Sequence, residues 1–235
     1  LKVGTSLLLT NGVNNRTPTA NTSIDGPAVT ASILGAALAA PPTLVPYRED
    51  GSVFSFRDQF NGFYSEVVNP AGFLQEKRDY NLRRTLASLY GEVTILDGLT
   101  YRAQFNGDFL VGTYDSYGPR SNLSQTELLS GGGNAFRATG FETTLLHESI
   151  LTYRRKFADV HSLTFTGVFG SQSYTNNNYW LSASNFPNDA TTYDAVQLAA
   201  NRSVFSNRSR ERLDSYLARV NYGFRDKYFL DLTAR

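Results

Sequence analysis

The 235-residue chain sets 22 Lys plus Arg against 21 Asp plus Glu, and a net charge of +1 gives no field to gather a nucleic acid. Cys and Met are both absent, which removes any disulfide framework, thiolate metal site or cysteine nucleophile. Aromatics are abundant, with 14 Tyr and 16 Phe beside one Trp. The opening run LKVGTSLLLTN lacks the charged start, apolar stretch and small-residue cleavage site of a signal peptide, and reads as the start of a mature or truncated piece. Pro27 to Pro42, the least polar stretch, falls short of the roughly 20 apolar residues of a membrane-crossing helix. A membrane β-barrel stays open, since its strands alternate in polarity and keep overall hydropathy low.

In chain order, Val3 to Leu9 forms a first strand, followed by a long connection from Asn11 to Thr85. Within it, Ala28 to Ala40 is a helix former bounded by Pro27 and Pro41. Ala87, Leu89, Gly91, Val93 and Ile95 then alternate with polar neighbours up to Asp97-Gly98, a strong hairpin signal. Beyond it Leu99, Tyr101, Ala103, Phe105, Gly107, Phe109 and Val111 alternate with Thr100, Arg102, Gln104, Asn106 and Asp108, the period of a two-faced strand. After a connection from Thr113 to Glu142 comes a less regular pair: Leu145, Leu151 and Tyr153, a turn near Phe157 to His161, then Leu163, Phe165, Gly167 and Phe169. A third long connection, Asn176 to Arg212, leads to Tyr216, Ala218, Val220, Tyr222 and Phe224, a turn at Asp226-Lys227, and Tyr228, Leu230, Leu232 and Ala234.

About seven strands result, and short and long connections alternate throughout. Short turns at one end and long loops at the other are the habit of an up-and-down outer-membrane barrel, whereas a soluble sandwich has no reason to sort loops by parity. The expected fold is therefore all-β, a transmembrane antiparallel barrel segment with long extracellular loops, residues 1–235 forming part of one barrel domain. Tyr101, Tyr153, Phe157, Tyr222, Phe224 and Tyr228 lie near the short turns, where an interfacial aromatic girdle belongs. Tyr101, Phe105, Phe109, Val220, Tyr222 and Leu230 are expected to meet lipid, and Glu92, Arg102, Gln104, Asn106, Asp108 and Arg219 the lumen.

Chemistry is sparse. The two histidines, His147 and His161, have no second ligand at metal spacing and read as lumen or interface residues. There is no G-x-S-x-G elbow, and the run Gly131-Gly132-Gly133-Asn134 lacks the Lys-Ser/Thr of a phosphate loop, so a flexible loop is the reading there. No catalytic residue, metal or cofactor is expected. Tyr179, Trp180 and Tyr193, in the third long connection, are the candidates for stacking on a substrate or anchoring a partner; simple loop packing is the competing reading.

The run SYLARVNYGFRDKYFLDLTAR, Ser215 to Arg235, resembles the barrel motif of SusC/RagA-type TonB-linked outer-membrane proteins. Ala87 to Phe109, and Tyr153-Arg154-Arg155 followed by Leu163 to Gly170, support the resemblance in the right order, while the long connections show little of it. The resemblance implies a bacterial outer-membrane importer of oligosaccharides or peptides, powered through TonB and closed by a SusD-like surface lipoprotein. It also implies a larger barrel, with the plug and TonB-contacting segment absent from these residues. Seven strands alone would leave two unpaired edges in lipid, so a fragment is expected. A passive or structural outer-membrane barrel and a soluble all-β binding or adhesion module are the alternatives.

Overall fold

The computed structural model describes residues 1–15, 33–56, 59, 61, 63, 69–120 and 132–235. Seven strands form one antiparallel sheet in strict chain order: β1 (Lys2–Asn15), β2 (Lys77–Leu96), β3 (Leu99–Gly118), β4 (Asn134–Phe157), β5 (His161–Ser184), β6 (Asn201–Phe224) and β7 (Tyr228–Ala234). No described helix is long and apolar enough to cross a membrane. Side chains alternate across the pleat, and the register keeps the two faces continuous from strand to strand. Thr5, Leu89, Phe105, His147, Ser171 and Asp214 form one row. Ser6, Ser88, Asn106, Leu146, Gln172 and Leu213 run beside it on the opposite face.

The face bearing Phe105 is apolar over its lower part and uncovered: Phe105 is 54% exposed, Leu89 51% and Leu232 58%. A water-soluble protein does not leave so broad an apolar surface open. The sheet has no packed core of its own. Buried apolar side chains gather instead at the long-connection end, around Tyr117, Phe186 and Tyr193, and inside the connection between β1 and β2, around Leu44, Val53, Phe56 and Phe73. In that connection Asn69 caps α2 (Pro70–Phe73) by accepting from the Ala71 amide, and its Nδ2 donates to the Pro46 and Phe54 carbonyls at 2.7 and 2.9 Å.

The strands run further than periodicity suggests. β2 starts at Lys77 rather than near Ala87, β3 reaches Gly118, and β5 and β6 extend to Ser184 and from Asn201. The three connections shrink accordingly to 16–76, 119–133 and 185–200. Alternation registers a strand only where its two faces have different surroundings; beyond that zone pairing continues with polar and aromatic residues on both faces, and the pattern fades. The expected helix is seen as α1 (Ile33–Ala39), with 28–32 outside the described residues. The third short turn centres on Arg225 and Asp226, both with positive φ, one residue earlier than expected.

Short turns join β2 to β3, β4 to β5 and β6 to β7, all at one end of the sheet. They are staggered. Leu99, at the first, pairs with Tyr153, about four residues before the second turn at Phe157, and a stagger of this kind tilts strands toward barrel closure. Gly98 has φ +78° in the first turn, and a Cβ there would run into the Arg154 carbonyl oxygen on β4. Its own carbonyl accepts from the Arg154 amide at 2.7 Å. Gly98→Ala in the full-length protein should therefore cost more than about 1 kcal/mol, from both φ and collision. Urea unfolding in lipid checks this, and an unchanged midpoint would contradict the close approach.

Candidate functional site

The six residues expected to line a lumen share one face. Glu92 pairs with Arg102 across β2 and β3, and Arg102, Gln104, Asn106 and Asp108 follow at every second position. They form a ladder: Arg102 Nη2 donates to Gln104 Oε1 at 3.0 Å, and Gln104 Nε2 to Asn106 Oδ1 at 3.2 Å. Asp108 takes both arms of Arg84 at 2.9 and 2.6 Å, Glu92 meets Lys2 at 3.2 Å, and Arg102 lies 4.1 Å over the Tyr90 ring. Arg219, on the same face of β6, donates to Thr233 at 3.2 Å. The ion pairs among these contacts are solvent-exposed and add little stability. Their effect is to hold a wet, fixed-dipole surface.

On the other face lie Tyr101, Phe105, Phe109, Val220, Tyr222 and Leu230, as expected. His147 packs there between Phe105 and Phe169, and its Nε2 lies 3.0 Å from Ser149 Oγ, itself 2.9 Å from the Tyr101 hydroxyl. His161 sits at the short-turn end among Phe157, Tyr222 and Phe224, with Nδ1 2.6 Å from the Tyr222 hydroxyl. Amphipathic rings of this sort suit a membrane-water boundary.

The three aromatic candidates do not form one site. Tyr179 and Trp180 belong to β5 rather than to a loop, and consecutive strand residues point to opposite faces. Tyr179 lies on the Phe105 face, edge-on to Phe141. Trp180 lies on the Arg102 face and stacks on Phe205 of β6, centroids 5.8 Å apart. Tyr114 and Phe136, 6.1 Å apart, share that face at the same end. These partners escaped sequence reasoning, since only register brings residues so distant in the chain together.

Tyr193 is 6% exposed and belongs to a clasp, which is the loop packing that stood as the competing reading for it. It sits in a 3-10 segment (Thr192–Leu198) that folds back over the Phe105 face above the apolar zone. Its hydroxyl donates to Asp79, Lys77 lies 4.4 Å over its ring, and Arg137 donates to its carbonyl at 3.4 Å. Arg137 also grips Asp115 at 2.6 Å. Nearby, Tyr117 donates to Asp189 at 2.7 Å and meets Phe186 edge-on. Burial, then the bond to Asp79, push the Tyr193 phenol above its ordinary range. It stays neutral and a donor.

No family model matches the chain. Two TonB-dependent receptors of Formosa agariphila, P3 and P26, are 27% identical over 209 residues and 28% over 210, each covering 86% of this chain and 20% of the relative. Its fold matches the RagAB peptide transporter with a TM-score of 0.70 at 15% identity, over 98% of this chain and 25% of that one. The RagAB peptide importer in its open-open state matches at 0.68. The chain is thus similar in sequence to a stretch of TonB-dependent receptors and has the fold of a segment of the RagAB transporter. Its place is the outer membrane, and its relatives are receptors and transporters rather than enzymes. The chain spans only 20% of those curated receptors' length.

The clasp makes a local prediction for the receptor. Removing a buried ring and its hydroxyl costs about 2 kcal/mol, more than a factor of ten in opening. Tyr193→Ala should speed proteolysis within 185–200 more than about tenfold while heat-modifiable migration of the barrel is kept. Equal cleavage rates would show that Tyr193 does not hold the segment.

Proposed function

We propose that this chain is part of the barrel wall of a non-enzymatic, TonB-dependent importer of oligosaccharides or peptides, working with a SusD-like surface lipoprotein. The Phe105 face meets lipid, and the face carrying Glu92, Arg102, Gln104, Asn106, Asp108 and Arg219 lines the lumen. The connections 16–76, 119–133 and 185–200 are extracellular. The observation that carries this reading is the two-faced meander itself, 98% of which matches part of the RagAB peptide transporter.

Trp180, with Phe205, Tyr114 and Phe136, lies on the proposed lumen face near the long-connection end, where an entering solute would first meet the wall. Such rings stack on sugar faces or on peptide side chains at low entropic cost. Tyr179, on the opposite face, is proposed as a partner or lipid contact, and Tyr193 acts through the clasp by shaping the same end.

Energy coupling separates this reading from a passive barrel. In the native host, accumulation of labelled oligosaccharide or peptide through the full-length receptor should vanish when TonB is removed. Trp180→Ala should weaken capture by about threefold to tenfold, the value of one stacked pair. Uptake that persists without TonB would favour the passive barrel.

A further inference from the structure

Gly112 and Gly140 stand opposite each other on β3 and β4, on the face that carries Arg102 and Trp180. Neither has a positive φ, and the ladder runs through both without a bulge, so the backbone itself does not call for glycine there. A glycine inside a strand gives up packing and costs entropy, and where no bulge requires it, it marks a close approach by something else. At four other strand glycines that something is a ring: Tyr90 at Gly4, Phe109 at Gly107, Phe165 at Gly167 and Phe229 at Gly223. Gly112 and Gly140 have no ring. A Cβ on Gly112 would meet only Leu82 Cδ1, at 3.6 Å, and one on Gly140 only Asn178 Oδ1, at 3.0 Å. Both strands are paired on both sides at this level, so the bare patch is not a sheet edge.

Its surroundings suit a sugar ring. One row above, Phe205 backs one face of the Trp180 indole, and on the other side Ala138 is too small to cover the second face. Asn178 leans its carboxamide over the floor from β5. From β2 to β6 neither the glycine row nor the Trp180 row holds a charged residue. One row below, Glu142 accepts from Tyr174, with Glu211 on the far side of that ring, while Arg84 has both arms on Asp108. The floor's backbone is committed to the ladder on both sides, so a peptide has no edge to join as an added strand. A sugar needs none. It lays its C–H face on a ring and on bare backbone, and gives its hydroxyls to an amide and a carboxylate.

We propose that Gly112 and Gly140 floor a subsite for one ring of a neutral oligosaccharide, which stacks on Trp180 and hydrogen-bonds to Asn178 and Glu142. The two carboxylates below it repel uronates and acidic peptides. The inference deepens the importer reading above and rests on this face lining the lumen.

The test incubates the full-length receptor with an equimolar mixture of neutral gluco-, manno- and xylo-hexasaccharides, galacturonate hexamers, and neutral and acidic hexapeptides, and identifies by mass spectrometry what is retained. A neutral hexasaccharide should be held at least about tenfold over the uronates and peptides. Gly112→Val, which suits a strand but fills the floor, should lower its retention about tenfold, and Gly112→Ala about threefold, the worth of one stacked ring. Gly167→Ala, on the opposite face, should leave it unchanged. Heat-modifiable migration reports whether each barrel has closed. Preferred retention of peptides or uronates, no neutral hexasaccharide held, or undiminished retention by a closed Gly112→Val barrel would each overturn the subsite. A Gly112→Val barrel that failed to close, beside a Gly112→Ala barrel that bound normally, would assign these glycines to sheet curvature instead. Peptide uptake that depends on TonB would overturn the subsite and leave the importer standing, whereas hexasaccharide uptake without TonB would sink the importer and not the subsite.

Discussion

Hydrocarbon offers no partner to a backbone N–H or C=O, so a chain that crosses it as strands must pair each such group with a neighbouring strand. The sheet meets that demand by a meander in which β2 through β6 each pair on both sides near the short turns. Pairing is cheapest between chain neighbours, so the turns at Gly98, at Ala158 and Asp159, and at Arg225 and Asp226 are as tight as left-handed backbone allows. Once the backbone is satisfied within the sheet, the side chains are free to differ by face. Phe105 and Asn106 can then sit next to each other in sequence and meet different media. The outer edge of β1 and the upper part of β6 are left unpaired here, which a wall completed by further strands resolves.

What could be read from the sequence divides along the same physical line. From Leu99 to Val111 each face meets one medium, so alternation fixed the strand, its partner across Asp97-Gly98 and the sharing of faces by Arg102 and Phe105. From Thr113 to Gly118 and from Asn176 to Ser184 polar and aromatic residues mix on both faces, one of which the 3-10 segment covers, and paired strand looks like loop. Trp180 was singled out as an aromatic in polar surroundings, but its face and its partner Phe205 depend on register, which local pattern does not carry. Tyr193 was invisible as a clasp because Lys77, Asp79 and Arg137 reach it from two different strands.

Above the apolar zone the sheet continues as a wet scaffold with two distinct surfaces. On the Phe105 face, the 3-10 segment is strapped down by Tyr193, Tyr117 and Arg137, covering strand ends that would otherwise be bare. On the opposite face, Trp180 with Phe205 and Tyr114 with Phe136 form two ring pairs at the same end, uncovered by that clasp. Length thus separates two tasks. On the proposed reading the lower strand residues satisfy the membrane and the upper ones are free to vary with the solute.

The central claim is that alternate residues of β3 face lipid and water. Spin labels placed singly from Tyr101 to Phe109 in the full-length receptor, reconstituted in bilayers, report it directly through relaxation by lipid-soluble oxygen and by a water-soluble nickel chelate. Odd positions should be reached by oxygen and protected from nickel, and Arg102, Gln104, Asn106 and Asp108 should give the reverse with a period of two. Uniform nickel access along the strand, or the opposite phase, would contradict the assignment of both faces.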